Sequence, residues 1–270
     1  MPGPQWRDYD ADGVSVFQPE HLLREARRQR GLPDRDVPAI GVLDPDGDLV
    51  SYLRRTGRAR PSPGWACYHT TLDEFDLPGG TVAGVVGCAV GASFAVLVAE
   101  QLFASGCRLL VSVTSAGRIA DLGEPPYAVL IDGALRDEGT SAHYLPQGSG
   151  PIVMAPDAAL LDRVEARLRQ DTTTLHRGST WTTDAPYRET EAAIEAARAQ
   201  GALAVEMEAA ALYAFATARH KPVVCFAHVT NTMGQQAGPD FEKGEAAGAL
   251  DALRLIGAAA HAFQREAVHP

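Results

Sequence analysis

Residues 81–113 leave this chain few choices of architecture. Thr81-Val-Ala-Gly-Val-Val86 is an apolar, β-branched run that reads as a buried strand. Gly87-Cys-Ala-Val-Gly-Ala-Ser93 follows as a loop of small residues. Phe94 to Ser105 reads as an apolar helix closed by Gly106, and Arg108-Leu-Leu-Val-Ser-Val113 as a second strand. Such a βαβ unit makes its two strands parallel. Gly87 and Gly91 let main-chain N–H groups approach a ligand at the helix start. Their spacing is not G-x-G-x-x-G, which excludes a nicotinamide dinucleotide. Thr114-Ser-Ala-Gly-Arg118 reads as another small polar turn. Two turns after neighbouring parallel strands would form one floor for a ligand.

The second organising stretch is Ala204-Val-Glu-Met-Glu-Ala-Ala-Ala-Leu-Tyr-Ala-Phe-Ala216. The run from Ala202 to Val205 reads as a strand that delivers Glu206, Met207 and Glu208 to the mouth of an alanine-rich helix. Glu208 then falls in the first helical turn, where free N–H groups and the dipole favour a charged carboxylate. That dipole alone explains most glutamates at a helix start. Here both flanks are apolar, which puts the pair near a buried strand end, the place where open α/β sheets bind ligands.

The rest of the chain continues the alternation. Pro19 to Arg30 reads as a helix stopped by Gly31, and Ala39 to Leu43 as a short strand. Asp44-Pro-Asp-Gly-Asp48 is a turn; it lacks the distal glutamate of a calcium loop. Arg54, Arg55, Arg58 and Arg60 form a solvated loop able to clamp an anion. Trp65 to Leu72 reads as a strand followed by a turn over Asp73–Gly80. Strands are expected over 126–131, from Thr172 to Trp181 and over Pro222–Val229, the last delivering Thr230-Asn231-Thr232. Helices are expected over Pro156–Leu168, Thr190–Gln200 and Gly248–Phe263. Residues 1–38 are a peripheral segment and residues 39–265 one α/β domain.

Composition narrows the partners. A net charge of −10 over 270 residues argues against a nucleic-acid backbone binder. The apolar stretches are too short and too Gly-interrupted to span a bilayer. The start of the chain has no signal-peptide pattern. Cys67, Cys88, Cys107 and Cys225 are widely spaced and read as core residues of a reducing compartment, so a cytoplasmic enzyme is expected. No His/Cys/Asp cluster has metal-ligand spacing, and no metal is expected.

Three strand ends present polar groups: Thr114-Ser115, Glu206-Met207-Glu208 and Thr230-Asn231. A carboxylate near hydroxyls, an amide near a leaving heterocycle and an anion loop suit glycosyl transfer through a cationic sugar. At these residues the chain resembles the nucleoside phosphorylase/nucleosidase family, which includes purine and uridine phosphorylases and methylthioadenosine/S-adenosylhomocysteine nucleosidase. Val205-Glu-Met-Glu-Ala-Ala-Ala-Leu-Tyr213, Thr114-Ser-Ala-Gly117, Ala134-Leu-Arg-Asp-Glu-Gly-Thr-Ser141 and Trp181-Thr-Thr-Asp-Ala-Pro-Tyr187 carry the resemblance, in the family's order.

The resemblance implies a single-domain α/β three-layer sandwich around a mixed, partly barrel-like sheet. It also implies a homodimer or trimer of dimers that cleaves an N-ribosidic bond with phosphate or water; phosphate is the expected co-substrate, and no cofactor is expected. Position by position, Glu208 would accept hydrogen bonds from the ribose hydroxyls, Met207 would pack on the sugar and Glu206 would lie at its edge. Trp181 and Thr182 would line the base with Asn231. Ser115, Thr114 and Gly91 would surround the nucleophile. His69, His143 and His228 fall near the expected site strands or loops; any one could reach the sugar 5′ position, and a structural role is the default reading of each.

Two departures stand out. Purine-cleaving relatives carry Ser-Asp where this chain has Thr230-Asn231, and an amide donates a hydrogen bond but no proton. A 6-oxopurine or pyrimidine leaving group therefore fits better than an amino-purine. The phosphate loop Gly-Asp-Pro-x-Arg is replaced by Asp44–Asp48, and Ser112 stands where a second phosphate arginine is expected. Phosphorolysis leads, with the Arg54–Arg60 cluster as the substitute cation source. A water-dependent nucleosidase and a non-catalytic nucleoside-binding protein are the alternatives.

Overall fold

The apolar runs pair into one mixed ten-stranded sheet in the computed structural model, which describes residues 13–145, 150–170, 174–232 and 243–266. The strands are β1 (Ile40–Asp44), β2 (Arg60–Pro61), β3 (Asp73–Asp76), β4 (Val82–Gly87), β5 (Leu109–Arg118), β6 (Tyr127–Asp137), β7 (Ile152–Met154), β8 (Leu175–Thr183), β9 (Ala204–Glu206) and β10 (Val223–Thr232). The helices are α1 (Pro19–Arg30), α2 (Asp48–Arg55), α3 (Ala92–Ala104), α4 (Ala158–Leu168), α5 (Glu191–Ala199), α6 (Ala209–Arg219) and α7 (Ala249–Glu266).

Strand order runs β10-β6-β8-β9-β5-β1-β4-β3-β2, and β10 also pairs with β5. That extra pairing closes β10, β6, β8, β9 and β5 into a ring, so the expected partly barrel-like sheet is present. One core packs α3 and α6 against the sheet, with Val96, Leu102, Leu212 and Phe215 buried there. A second packs α2, α4 and α7 on the other face, through Leu53, Leu161 and Leu255. These are the two outer layers of a three-layer sandwich. Helix α6 is buried all round from Ala209 to Ala216, which its alanines permit. Tyr213 anchors it: the phenol donates to the Ile131 carbonyl at 2.6 Å and accepts from the Cys225 N–H at 3.1 Å.

Several expectations change. The stretch Trp65–Leu72 forms no strand, and the strand is Asp73–Asp76, where a turn was expected. Its acidic residues are held by Arg54 on Asp73 and by Arg60 on Glu74 and Asp76. Those ion pairs also occupy two arginines of the anion-clamp cluster. Asp48–Arg55 is a helix that was read as turn and loop. Thr114–Arg118 is no turn but the continuation of β5, because β10 pairs with it throughout. Strands β4 and β5 are not neighbours either, since β1 lies between them. Cys67, Cys107 and Cys225 are buried, whereas Cys88 is exposed. The expected start of β8 at Thr172 lies outside the described residues, as do residues 1–12 of the peripheral segment.

Candidate functional site

Strand β5 creates the opening. Its first half pairs with β1, from Leu109 to Ser112, and its end pairs with β9, at Gly117 and Arg118. Between those stretches, residues 113–116 have a strand partner on the β10 side only. Main-chain groups in this gap are left for side chains or ligands to satisfy. Thr114 and Ser115 lie in the gap, beside Ala227 and His228 of β10.

Glu208 reaches the same place from the start of α6. It is 1% exposed. Its carboxyl turns away from its own helix, and Oε1 accepts the Gly91 N–H at 2.7 Å. Gly91 adopts φ +87, a conformation that suits glycine, at the start of α3. Oε2 of Glu208 is buried and has no hydrogen-bond partner among the described residues. A buried acceptor left open is costly, which marks it as a group awaiting a ligand. Burial pushes the Glu208 carboxyl up to about 8. The charge of Glu206 adds to the rise, and the Gly91 N–H and Thr114 hydroxyl oppose it. Glu208 is therefore mainly protonated at neutral pH, where the sequence suggested a charged carboxylate.

Glu206 does the capping that the sequence assigned to Glu208. Its Oε2 accepts the N–H groups of Glu208 and Ala209, each at 2.7 Å. Its Oε1 accepts the hydroxyls of Thr180, at 3.1 Å, and of Thr182. The Thr182 hydroxyl in turn accepts the Ala210 N–H at 3.0 Å. Parallel pairing of β8 with β9 sets this up, since Thr182 and Glu206 are register partners. Thr182 is thus buried against α6 and tied to Glu206. Met207, between the two carboxylates, is half-buried.

Trp181 points to the opposite side of β8. It is 6% exposed and packs with Ile119, Leu135, Ile194 and Val205 beneath α5, its indole N–H on Asp137 at 3.1 Å. A core position accounts for all of its contacts. Asn231 is half-buried on β10, opposite Gly117 of β5 and just past a bulge after Val229. A bulge of this kind bends its strand locally. Thr230 is buried there with a hydroxyl that no group satisfies among the described residues.

The floor near Ser115 is acidic. Because β1 lies between β4 and β5, its exit turn lies between Ser115 of β5 and the loop after β4. The Ser115 N–H donates to Asp46 Oδ2 at 2.9 Å, and the Cys88 N–H to the Asp44 carbonyl at 2.9 Å. Asp44 is buried, and its carboxyl is pushed up to about 6 by that burial, against the Val50 N–H that it accepts. Lys243 bonds to Asp48. Asp44, Asp46, Asp48, Thr114, Ser115, His228 and Lys243 line one small cavity. Burial holds the His228 imidazole below its ordinary value, so it is neutral at pH 7. The sequence signal for this wall is the Asp-Pro-Asp-Gly-Asp string at the exit of a short strand, read both as a turn and as standing in place of the phosphate loop. Ser112, at the position expected to hold an arginine, is buried, and its hydroxyl has no partner among the described residues.

The structure thus brings together Gly91, Thr114, Ser115, Glu206 and Glu208, with Asn231 on the adjacent strand. It sets Trp181 apart. His69 and His143 are exposed and line a larger groove with Ser93, between residues 13–22 and α3. Among the described residues no cluster of three or more His, Cys, Asp or Glu side chains is arranged to hold a metal ion. No helix among them is long and apolar enough to cross a membrane.

The sequence model of the phosphorylase superfamily matches residues 40–261, which span both the acidic turn and the Glu206–Glu208 junction. The chain is also similar to a guanosine phosphorylase of Halorubrum lacusprofundi. The two are 26% identical over 216 residues, covering 78% of this chain and 81% of that protein.

Proposed function

The chain belongs to the phosphorylase superfamily, and on that premise we propose that it cleaves the N-glycosidic bond of a nucleoside by phosphorolysis. A phosphate oxygen forms a bond to the sugar C1′, the bond to the base breaks, and its electron pair leaves with the base. The products are a free base and ribose 1-phosphate, and no cofactor is needed. The observation that carries this reading is the Glu208 carboxyl, buried at a strand end with one oxygen fixed by Gly91 and the other open. Once ionised, that group accepts the ribose hydroxyls and stabilises positive charge growing on the sugar more than it stabilises the neutral ground state. Met207 lies beside the sugar and Asn231 at the base. An amide that donates one hydrogen bond and accepts another suits a 6-oxopurine. The similarity to a guanosine phosphorylase supports the same leaving group. The exposed apolar side chains of Val14, Phe17 and Leu97 along the α3 groove support a homo-oligomer.

One observation favours a second reading, in which water replaces phosphate. Asp46 already occupies the Ser115 N–H, with Asp44 and Asp48 beside it. A carboxylate there repels phosphate and can take a proton from water. A panel of purine and pyrimidine nucleosides, run with and without phosphate, separates the two. Ribose 1-phosphate formed only when phosphate is present is the expected result. Free ribose released without phosphate establishes the hydrolase, and saturable binding with no base released from any nucleoside overturns both.

A further inference from the structure

We infer that Glu206 is a positioning residue, a fixed buried anion that aims Glu208 into the site and keeps the proton of the pair on Glu208. The inference rests on the reading above only in taking Glu208 as the carboxyl that faces the sugar.

The two carboxyls are two residues apart and both buried, yet their surroundings differ. Glu206 receives four donors: two hydroxyls on one oxygen and two main-chain N–H groups on the other. Those two N–H groups belong to Glu208 itself and Ala209, at the positive end of α6. Burial raises the Glu206 carboxyl above the ordinary carboxylate range, and its four hydrogen bonds oppose that rise by favouring the ionised form. Its open valences are used up, so nothing is left for a sugar hydroxyl. Glu208 has fewer donors: the Gly91 N–H on one oxygen, the Thr114 hydroxyl acting on the carboxyl, and among the described residues no direct partner on Oε2. Two buried carboxyls this close do not both ionise readily, and the donor count decides which one does. The negative charge stays on Glu206 and the proton on Glu208.

Position follows from the same bonds. By holding the Glu208 N–H, Glu206 fixes the main chain from which the Glu208 side chain departs toward Gly91. Thr182 extends the clamp, since its hydroxyl joins Glu206 to the Ala210 N–H. Besides Glu206, the groups that act on the Glu208 carboxyl are the Gly91 N–H, the Thr114 hydroxyl on β5 and Asp46 on the β1–α2 turn. Cys225 on β10 and Tyr213 on α6 also sense the pair, and burial holds both well above their ordinary values. Of these, Glu206 is the charged group that contributes most to the Glu208 shift after burial itself.

The test is the titration of Glu208 followed by NMR of carboxyl-labelled glutamate in the full chain, with Glu208→Gln identifying the signal. Glu206→Gln keeps the side chain's shape: its amide oxygen can remain on the two N–H groups and its NH2 can turn to the hydroxyls. The expected result is a folded variant, by circular dichroism, in which the Glu208 midpoint falls by about one pH unit or more. The rising limb of the pH–rate profile should move down with it. Thr182→Val, which removes one donor from Glu206, should shift the midpoint the same way, and Thr182→Ser should restore it. A Glu208 midpoint unchanged in folded Glu206→Gln overturns the inference. If that variant does not fold, an unchanged midpoint in Thr182→Val does so instead. The titration needs no substrate, so a chain that cleaves no nucleoside refutes the proposed function and leaves this result standing or falling by itself.

Discussion

Under the proposed function Glu208 is the residue on which the chemistry turns, because one of its buried oxygens is open and its proton is held by burial and a neighbouring charge. Replacing it with Gln keeps the volume and removes the charge. Glu208→Gln is expected to lower kcat by about a hundredfold or more, the scale of losing one oriented electrostatic contact in a water-poor site. An unchanged rate in a folded variant would take Glu208 out of the mechanism. The ionised form is the one that stabilises a sugar cation, and the carboxyl titrates at about 8. The rate of nucleoside cleavage at subsaturating substrate should therefore climb as pH rises toward and through 8, and Glu208→Gln should abolish that limb. Asp46 permits a third test. It holds the Ser115 N–H, beside the place proposed for the nucleophile, and a carboxylate there has the wrong sign for phosphate. Asp46→Ala should lower the KM for phosphate about fivefold, the worth of roughly 1 kcal/mol for one solvated charge about 4 Å away. Equal KM values would place phosphate elsewhere.

Among the elements, α6 shows how far local sequence can be read and where it stops. Its existence was plain from Ala209–Ala216, and so was its junction with a buried strand. Which carboxylate caps it was not, because the deciding donors are the hydroxyls of Thr180 and Thr182 on β8, more than twenty residues earlier in the chain. The same limit explains the misread edge of the sheet. Asp-Glu-Phe-Asp has poor strand propensity and forms β3 because Arg54 and Arg60 arrive from α2 and β2 to pair with it. Trp65–Leu72 looks like a strand by composition, but Trp65 and Cys67 are buried in irregular chain beside α3. The turn expected at Thr114 became strand because β10 supplies hydrogen bonds that only the tertiary fold provides. Tyr213 offers a measurement at this scale. Tyr213→Phe leaves the Cys225 N–H and the Ile131 carbonyl without their buried partner. The expected cost is about 1–3 kcal/mol, read as a lower urea midpoint with an unchanged slope.

For the whole molecule, the buried carboxyls tie stability to pH in an unusual direction. Most carboxylates are more acidic in a folded chain, and acid then destabilises it. Here burial raises Glu208 from 4.5 to about 8 and Asp44 from 3.8 to about 6. Between the unfolded and folded values, the folded chain keeps a proton that the unfolded chain has released. Unfolding stability must then fall as pH rises, by at most about 1.4 kcal/mol per pH unit for each group in its window. Asp44 acts between about 4 and 6, and Glu208 between about 4.5 and 8. His228 opposes them at the acid end: burial lowers its value, so it favours the folded state as pH rises toward 6.5. Above about pH 6.5 the Glu208 term is left with the least competition from these groups. Urea midpoints measured at constant ionic strength should decline from about pH 6.5 to 8 in the parent chain. Glu208→Gln carries no titrating proton at that position and should flatten the decline. A decline as steep in the variant as in the parent would mean that Glu208 is already ionised at neutral pH, and that the charge of the buried pair does not reside on Glu206 alone.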